Sequence, residues 1–259
     1  MDRSGCFDRR VRIPAAVTLP FICVSAHADI VILGSAKDNS LYFDEAGGVS
    51  NGKGPTIFAG KNNGGFARRG LIAFDFSSLP SNAVIESVVL ELYLPQAQAF
   101  ATPVSLFRLS SDWGEGASNS GMRGGAGTTA APGDATWIHT FYQGQFWQIP
   151  GGDFAPQASV TSLVAGEGAS YFWQSTPSLL NDVQGWIANP STNFGWIILG
   201  DESQGGTAKA FASREYTDPS LRPKLTVVYS VVPEPGLGLV SGFMIGLILL
   251  SRASRRAKT

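Results

Sequence analysis

The sequence predicts an all-β fold: a single antiparallel β-sandwich, jelly-roll-like, with one short helix and a long glycine- and aromatic-rich loop region. Three observations lead to it. From residue 29 to 230, short apolar runs alternate with clusters of Gly, Asn, Ser and Pro, which is the rhythm of strands and turns. Within Val88-Val89-Leu90-Glu91-Leu92-Tyr93-Leu94, positions 88, 90, 92 and 94 are apolar and Glu91 falls on the other face. A period of two means a strand with one buried and one partly wet face. Helical spacing is confined to one segment, where Leu179, Val183, Trp186 and Ile187 recur between Pro177 and Asn189-Pro190.

The chain begins with an export signal. Arg9, Arg10 and Arg12 precede an apolar run from Ile13 to Val24, and Ala26-His27-Ala28 supplies small residues around a cleavage point, so signal peptidase is expected to leave a mature chain starting at Asp29. The residues after Arg9-Arg10 fit a twin-arginine signal poorly, which favours the general secretory route. Both cysteines, Cys6 and Cys23, lie in this segment, so residues 29 to 230 cannot form a disulfide and must be held by their core. That stretch carries 11 Lys and Arg against 17 Asp and Glu, a net charge of −6. No basic field draws nucleic acid to it. About 200 residues are enough for one sizeable core.

Strands are expected at Asp29–Leu33, Ser40–Phe43, Thr56–Ala59, Arg69–Phe76, Val88–Leu94, Val104–Leu109, Gly195–Gly200, Lys209–Ser213 and Lys224–Tyr229. The helix from Pro177 should cover one end of the sandwich. Ser118 to Gly133 is Gly, Ala, Ser and Thr with hardly any apolar bulk, and reads as a mobile surface loop. Then come Trp137, Phe141, Tyr142, Phe146, Trp147, Phe154, Tyr171, Phe172 and Trp173, too many rings for a linker. They form a satellite core under the loop, or two or three of them stay exposed and stack on sugar faces. Trp137, Tyr142, Trp147 and Trp173 are the stacking candidates.

Charged residues offer three further possibilities. Lys37, Lys53, Lys61, Arg68 and Arg69 cluster in the first part of the domain, either as contacts for an acidic polysaccharide such as a uronate or as part of a solvated surface shared with Asp38, Asp44, Glu45 and Asp75. Asp38, Asn39 and Asp44, or Asp201 and Glu202, can supply oxygen ligands to a structural calcium, the one cofactor with any support, although no EF-hand-like loop occurs. Arg214-Glu215 reads as an ion pair with Asp75 or a neighbouring strand rather than a ligand contact.

Catalysis has little in its favour. His139 is the only histidine after residue 28, no Gly-x-Ser-x-Gly elbow occurs, and a multi-histidine zinc site is excluded. Gly124-Gly125-Ala126-Gly127 lacks the lysine and helix context of a phosphate loop. A carboxylate pair for glycoside hydrolysis needs only two acids, and the spacing of the seventeen present suggests none.

The segment 231–259 ends the chain with Val232-Pro233-Glu234-Pro235, an apolar run from Gly236 to Leu250, and the basic residues Arg252, Arg255, Arg256 and Lys258. The prolines stop any strand arriving from Tyr229. The apolar run is short of the ~20 residues that span a bilayer comfortably, but its flanks and snorkelling arginines extend its reach, with the basic end cytoplasmic. This order of parts resembles the PEP-CTERM sorting signal of bacteria that secrete exopolysaccharide. The resemblance implies recognition of Pro233, Glu234 and Pro235 by an exosortase at the inner membrane, with release or transfer to the cell surface; an uncleaved anchor is the simpler alternative.

The body of the chain resembles the DNRLRE domain, a β-sandwich of secreted bacterial proteins related to carbohydrate-binding modules. The resemblance is carried by Lys37-Asp38-Asn39-Ser40-Leu41, by Arg69 to Phe76 leading into Leu79-Pro80 and Val84 to Val88, and by Asp112-Trp113-Gly114-Glu115. It continues through Asp182 to Trp186, Asn193 to Trp196, Ser213-Arg214-Glu215 and Arg222 to Leu225. Ser118 to Ser175 departs from shorter members. Together the two resemblances imply an exported, transiently membrane-anchored, non-catalytic protein of the cell envelope or extracellular matrix that binds or packs into exopolysaccharide. The alternatives are a structural or adhesive protein with no defined sugar, or a polysaccharide-cleaving enzyme.

Overall fold

One strand belongs to both halves of the molecule. In a computed structural model that describes residues 27–97 and 100–231, β1 runs unbroken over Ala28–Tyr42. Its first half pairs with the last strand and its second half with the strand Ala67–Phe74, and the register shifts between Ser35 and Lys37 where it changes partners. The Gly, Ser, Asp and Asn between the two expected strands therefore mark a bulge and bend, not a turn.

The remaining strands are β2 (Val49–Ser50), β3 (Thr56–Lys61), β4 (Ala67–Phe74), β5 (Ala83–Leu94), β6 (Gln96–Ala97), β7 (Thr102–Arg108), β8 (Thr128–Thr129), β9 (His139–Phe141) and β10 (Gln145–Phe146). After them come β11 (Val160–Val164), β12 (Ala169–Trp173), the helix α1 (Pro177–Ala188), β13 (Trp196–Leu199), β14 (Lys209–Ala212) and β15 (Lys224–Val231). Eleven strands form one antiparallel sheet that curls into a sandwich, in the order β11-β7-β13-β4-β1-β15-β5-β12, with β3, β14 and β6 branching from β4. Strands β11 and β12 were not expected. They pair with β7 and β5 and lengthen the two halves by one strand each.

The inner core lies between the two halves. Val88, Leu90, Leu92 and Leu94 of β5, with Leu225 and Val227 of β15, face Ile72 and Phe74 of β4, Leu106 of β7, and Trp196 and Ile198 of β13. Each aliphatic side chain buried there contributes roughly 1.5 to 3 kcal/mol. The helix closes one end as its spacing predicts. Thr176 caps it by accepting from the Leu179 N–H at 3.1 Å, Pro177 occupies the first turn, and Leu179, Val183, Trp186 and Ile187 are buried. Asp182, on the same buried face, accepts the Trp196 indole N–H at 2.8 Å.

A second core covers the outer face of β4 and β13. Leu71, Ala73 and Ile197, the residues that alternate with the inner set, pack against Leu41, Trp113, Ala135, Trp137 and Trp147. Strand β4 is thus buried on both faces, which explains why its second half, Leu71 to Phe74, reads as a continuous apolar run. The glycine-rich stretch expected to be mobile is instead bonded to the end of β1 and to the segment between β2 and β3. Tyr42 donates its hydroxyl to the Gly124 carbonyl at 2.6 Å, Asn51 accepts from the Ser120 N–H at 2.9 Å, and Lys53 N–H bonds the Ser118 carbonyl at 2.7 Å. Small residues are needed for that close approach. Gly127 has φ 68°, and a Cβ there would lie 2.5 Å from Val49.

No helix among the described residues is long and apolar enough to cross a membrane. The signal segment up to residue 26, the run 236–250, and Pro233, Glu234, Pro235, Arg252, Arg255 and Arg256 lie outside the described residues.

Candidate functional site

Arg68 stands on β4 beside a cleft of about 310 Å³ lined by Phe58, Asn62, Gln96, Ala97 and Gly125. It is 7% exposed, yet no carboxylate is within ion-pairing distance among the described residues. Its guanidinium bonds the carbonyls of Gly125 at 3.2 Å and Ala67 at 2.9 Å, and lies 4.8 Å from the centre of the Tyr42 ring. Burial lowers its pKa and raises that of the Tyr42 hydroxyl. A buried cation held only by carbonyls and a ring has an unmet need for an anion.

Three of the other four basic candidates have ion-pair partners. Arg69 faces outward from β4, makes a bidentate pair with Glu202 at 2.8 and 2.9 Å, and lies 4.8 Å above the Trp137 ring. Lys37 meets Asp112 at 2.7 Å and sits over the Trp113 ring. Lys53 bonds Glu115 and Glu215. Lys61 ends β3 half-buried, with its charge felt by Asp201. The five do not form one basic face with free charges.

Three of the four stacking candidates are core residues. Trp173 is fully buried on β12 and donates its indole N–H to the Val104 carbonyl at 2.8 Å. Trp147 is buried and donates to the Thr136 carbonyl at 2.9 Å, while Trp137 is buried beneath Phe43. Their indoles have found both apolar cover and an acceptor, or a cation, which is what fixes a tryptophan inside. Tyr142 alone is half-exposed, edge-on to the His139 ring. His139 itself is buried against the Thr136 hydroxyl at 2.9 Å. The more exposed rings are phenylalanines outside the four stacking candidates. Phe43 and Phe66 stack with centroids 6.1 Å apart at 39% and 49% exposure, and Phe146, 62% exposed, lies against the His139 ring with centroids 4.6 Å apart.

The four calcium candidates are dispersed. Asp44 caps its own turn through the Gly48 N–H at 2.8 Å, Asp201 accepts from Ser203, and Glu202 belongs to Arg69. Asp38 instead meets two acids far along the chain. Asp38, Glu115 and Glu215 bring carboxylate oxygens within 4.8 Å of one another. Arg214 pairs with Glu115 at 3.0 Å, not with Asp75, and its N–H bonds Asp38 Oδ2 at 2.8 Å. Asp75 caps the turn at Ser77. Burial pushes the Asp38 carboxyl up to about 8, against the lowering effect of the Arg214 N–H and helped by the charges of Glu215 and Glu115. Burial and then the Glu115 charge raise Glu215 as well. Both glutamates occur in segments that carry the family resemblance, but no local spacing signals that they meet.

Compared with models of known protein families, the chain matches none, and a search among curated proteins gives no match either.

Proposed function

We propose that this is an exported, non-catalytic component of the cell envelope or extracellular matrix that binds acidic polysaccharide in the cleft beside Arg68. The observation that carries this reading is the buried, carboxylate-free guanidinium at the wall of a cleft also lined by Asn62 and Gln96. A sugar carboxylate would supply the missing counter-charge and accept the planar fork of N–H groups, while Phe58 gives the pyranose face an apolar floor. Arg69, Lys37 and Lys53, already paired, would act at most as a rim.

Retention in gels cast with acidic and neutral polysaccharides tests it. The protein should be retarded by the acidic polymer, less so at high salt, and Arg68→Lys should weaken retention about tenfold by removing the fork, with its melting temperature reported alongside. Equal retention of parent and variant, or none by the parent, would sink the cleft assignment and leave a matrix protein with no defined sugar. Release of oligosaccharides from either polymer would support an enzyme.

Export and sorting form the other half of the proposal, supported by the resemblance of residues 231–259. Changing Glu234, or Arg252, Arg255 and Arg256 together, should trap an uncleaved membrane-bound form, visible on blots of membrane and extracellular fractions. Mutants that reach the medium at mature size would contradict recognition by an exosortase.

A further inference from the structure

We propose that Asp38, Glu115 and Glu215 form a calcium site that ties β1 to the loop after β7 and the turn after β14. Three carboxyl groups face two cations, Lys53 and Arg214, so a bound ion that displaces the Asp38 proton meets one negative charge in excess. The cations do not use all the oxygens. Asp38 Oδ1 and Glu215 Oε2 are buried and have no hydrogen-bond partner, although Asp38 is 1% exposed and its other oxygen is fully engaged by Ser35 and Arg214. A carboxyl oxygen without a partner at that depth is costly, and more so when ionised, unless something positive meets it.

Calcium fits the donor set better than its competitors. All the donors are hard oxygens, with no histidine or cysteine among them. Oxygens as far as 4.8 Å apart can share an ion only if the metal–oxygen distance reaches about 2.4 Å, which is in the calcium range and beyond the ~2.0 to 2.1 Å of magnesium. Asp38 Oδ1 and Glu215 Oε2 have no hydrogen-bond partner to displace, and Glu115, whose two oxygens both accept from Arg214, gains a lone pair on Oε2 when Lys53 withdraws. The Lys53 side chain is 37% exposed and Glu215 24%, so the ammonium has a path to solvent and water can complete the shell. Competition from Lys53 and Arg214 places the affinity among weak extracellular sites, on the order of 0.1 to 1 mM. The inference is independent of the polysaccharide cleft, since Arg68 takes no part in it.

Thermal unfolding of the whole protein at pH 7, in chelator and in ~10 mM calcium or magnesium chloride, tests the site. Calcium should raise the midpoint by about 3 °C or more in a saturable way, and magnesium by clearly less. Asp38→Asn and, as a milder change, Glu215→Gln should abolish the increment, while Asp201→Asn should keep it. Isothermal titration at the same pH should show one calcium per chain, with protons released on binding. An unchanged midpoint in calcium, or an equal increment in Asp38→Asn and Glu215→Gln, would overturn the proposal. So would equal increments with magnesium. If Asp38→Asn does not fold, Glu215→Gln alone decides.

Discussion

Trp173→Ala should lower the stability of the protein by about 3 to 5 kcal/mol, a loss of roughly 10 °C or more in melting temperature for a domain of this size. The ring is completely buried, meets Phe211 edge-on at 5.7 Å, and sits opposite Leu90 in the pairing of β12 with β5. Removing it leaves a cavity in the inner core and strands the Val104 carbonyl that accepts its N–H. Trp173→Phe should recover much of the packing but not the hydrogen bond. Phe43→Ala, at a ring 39% exposed, should cost about 1 kcal/mol or less. Denaturant melts of the three variants separate these outcomes. A Trp173→Ala protein that melts like its parent would show that the ring is not in the core.

Stability should fall as pH rises from about 5 to 9 when calcium is chelated. Asp38 ionises near the ordinary carboxylate value in the unfolded chain and near 8 in the folded one. Between those values the native state holds a proton that the unfolded state has lost, so the slope of unfolding free energy against pH is negative. The contribution is fully present below the unfolded pKa and gone once pH passes the folded one. A shift of this size corresponds to on the order of 5 kcal/mol at most. Asp38→Asn mimics the neutral acid and should flatten the profile, leaving the variant more stable than its parent at pH 9. Melting temperatures at pH 5, 7 and 9 decide; parallel profiles for parent and variant would exclude Asp38 as the group responsible.

The parts of the fold that could be read in the sequence are those where burial has a simple period. Residues 88 to 94 alternate because one face of β5 meets the core, and α1 shows its stripe because only one side of it packs. Strands β11 and β12 were hidden for a physical reason. Val-Thr-Ser-Leu-Val is short and has only two inward apolar residues, its Leu163 is 65% exposed, and the aromatic end of β12 looks the same whether its rings point inward or outward. The site was less legible still. Its acids stand 77 residues apart in one pair, and the backbone of Arg214 reaches Asp38 across 176. Arg68 differs from Arg69 only in the face of β4 it occupies, and nothing in the sequence tells which of two adjacent arginines will find a carboxylate.

The division of β1 between the two halves of the sandwich also governs how the molecule bears load. Strand β15 lies between the first half of β1 and β5 and delivers the chain at Val231 toward residues 232–259. The pairing hydrogen bonds run across the strand, so tension applied along β15 from that end shears both of its ladders together instead of opening them one bond at a time. Because β1 continues into the other half of the sandwich, the strain passes on to β4, the strand that carries Arg68. A pull between the C-terminal end and a polymer seated at the cleft would therefore be resisted by the whole width of the fold.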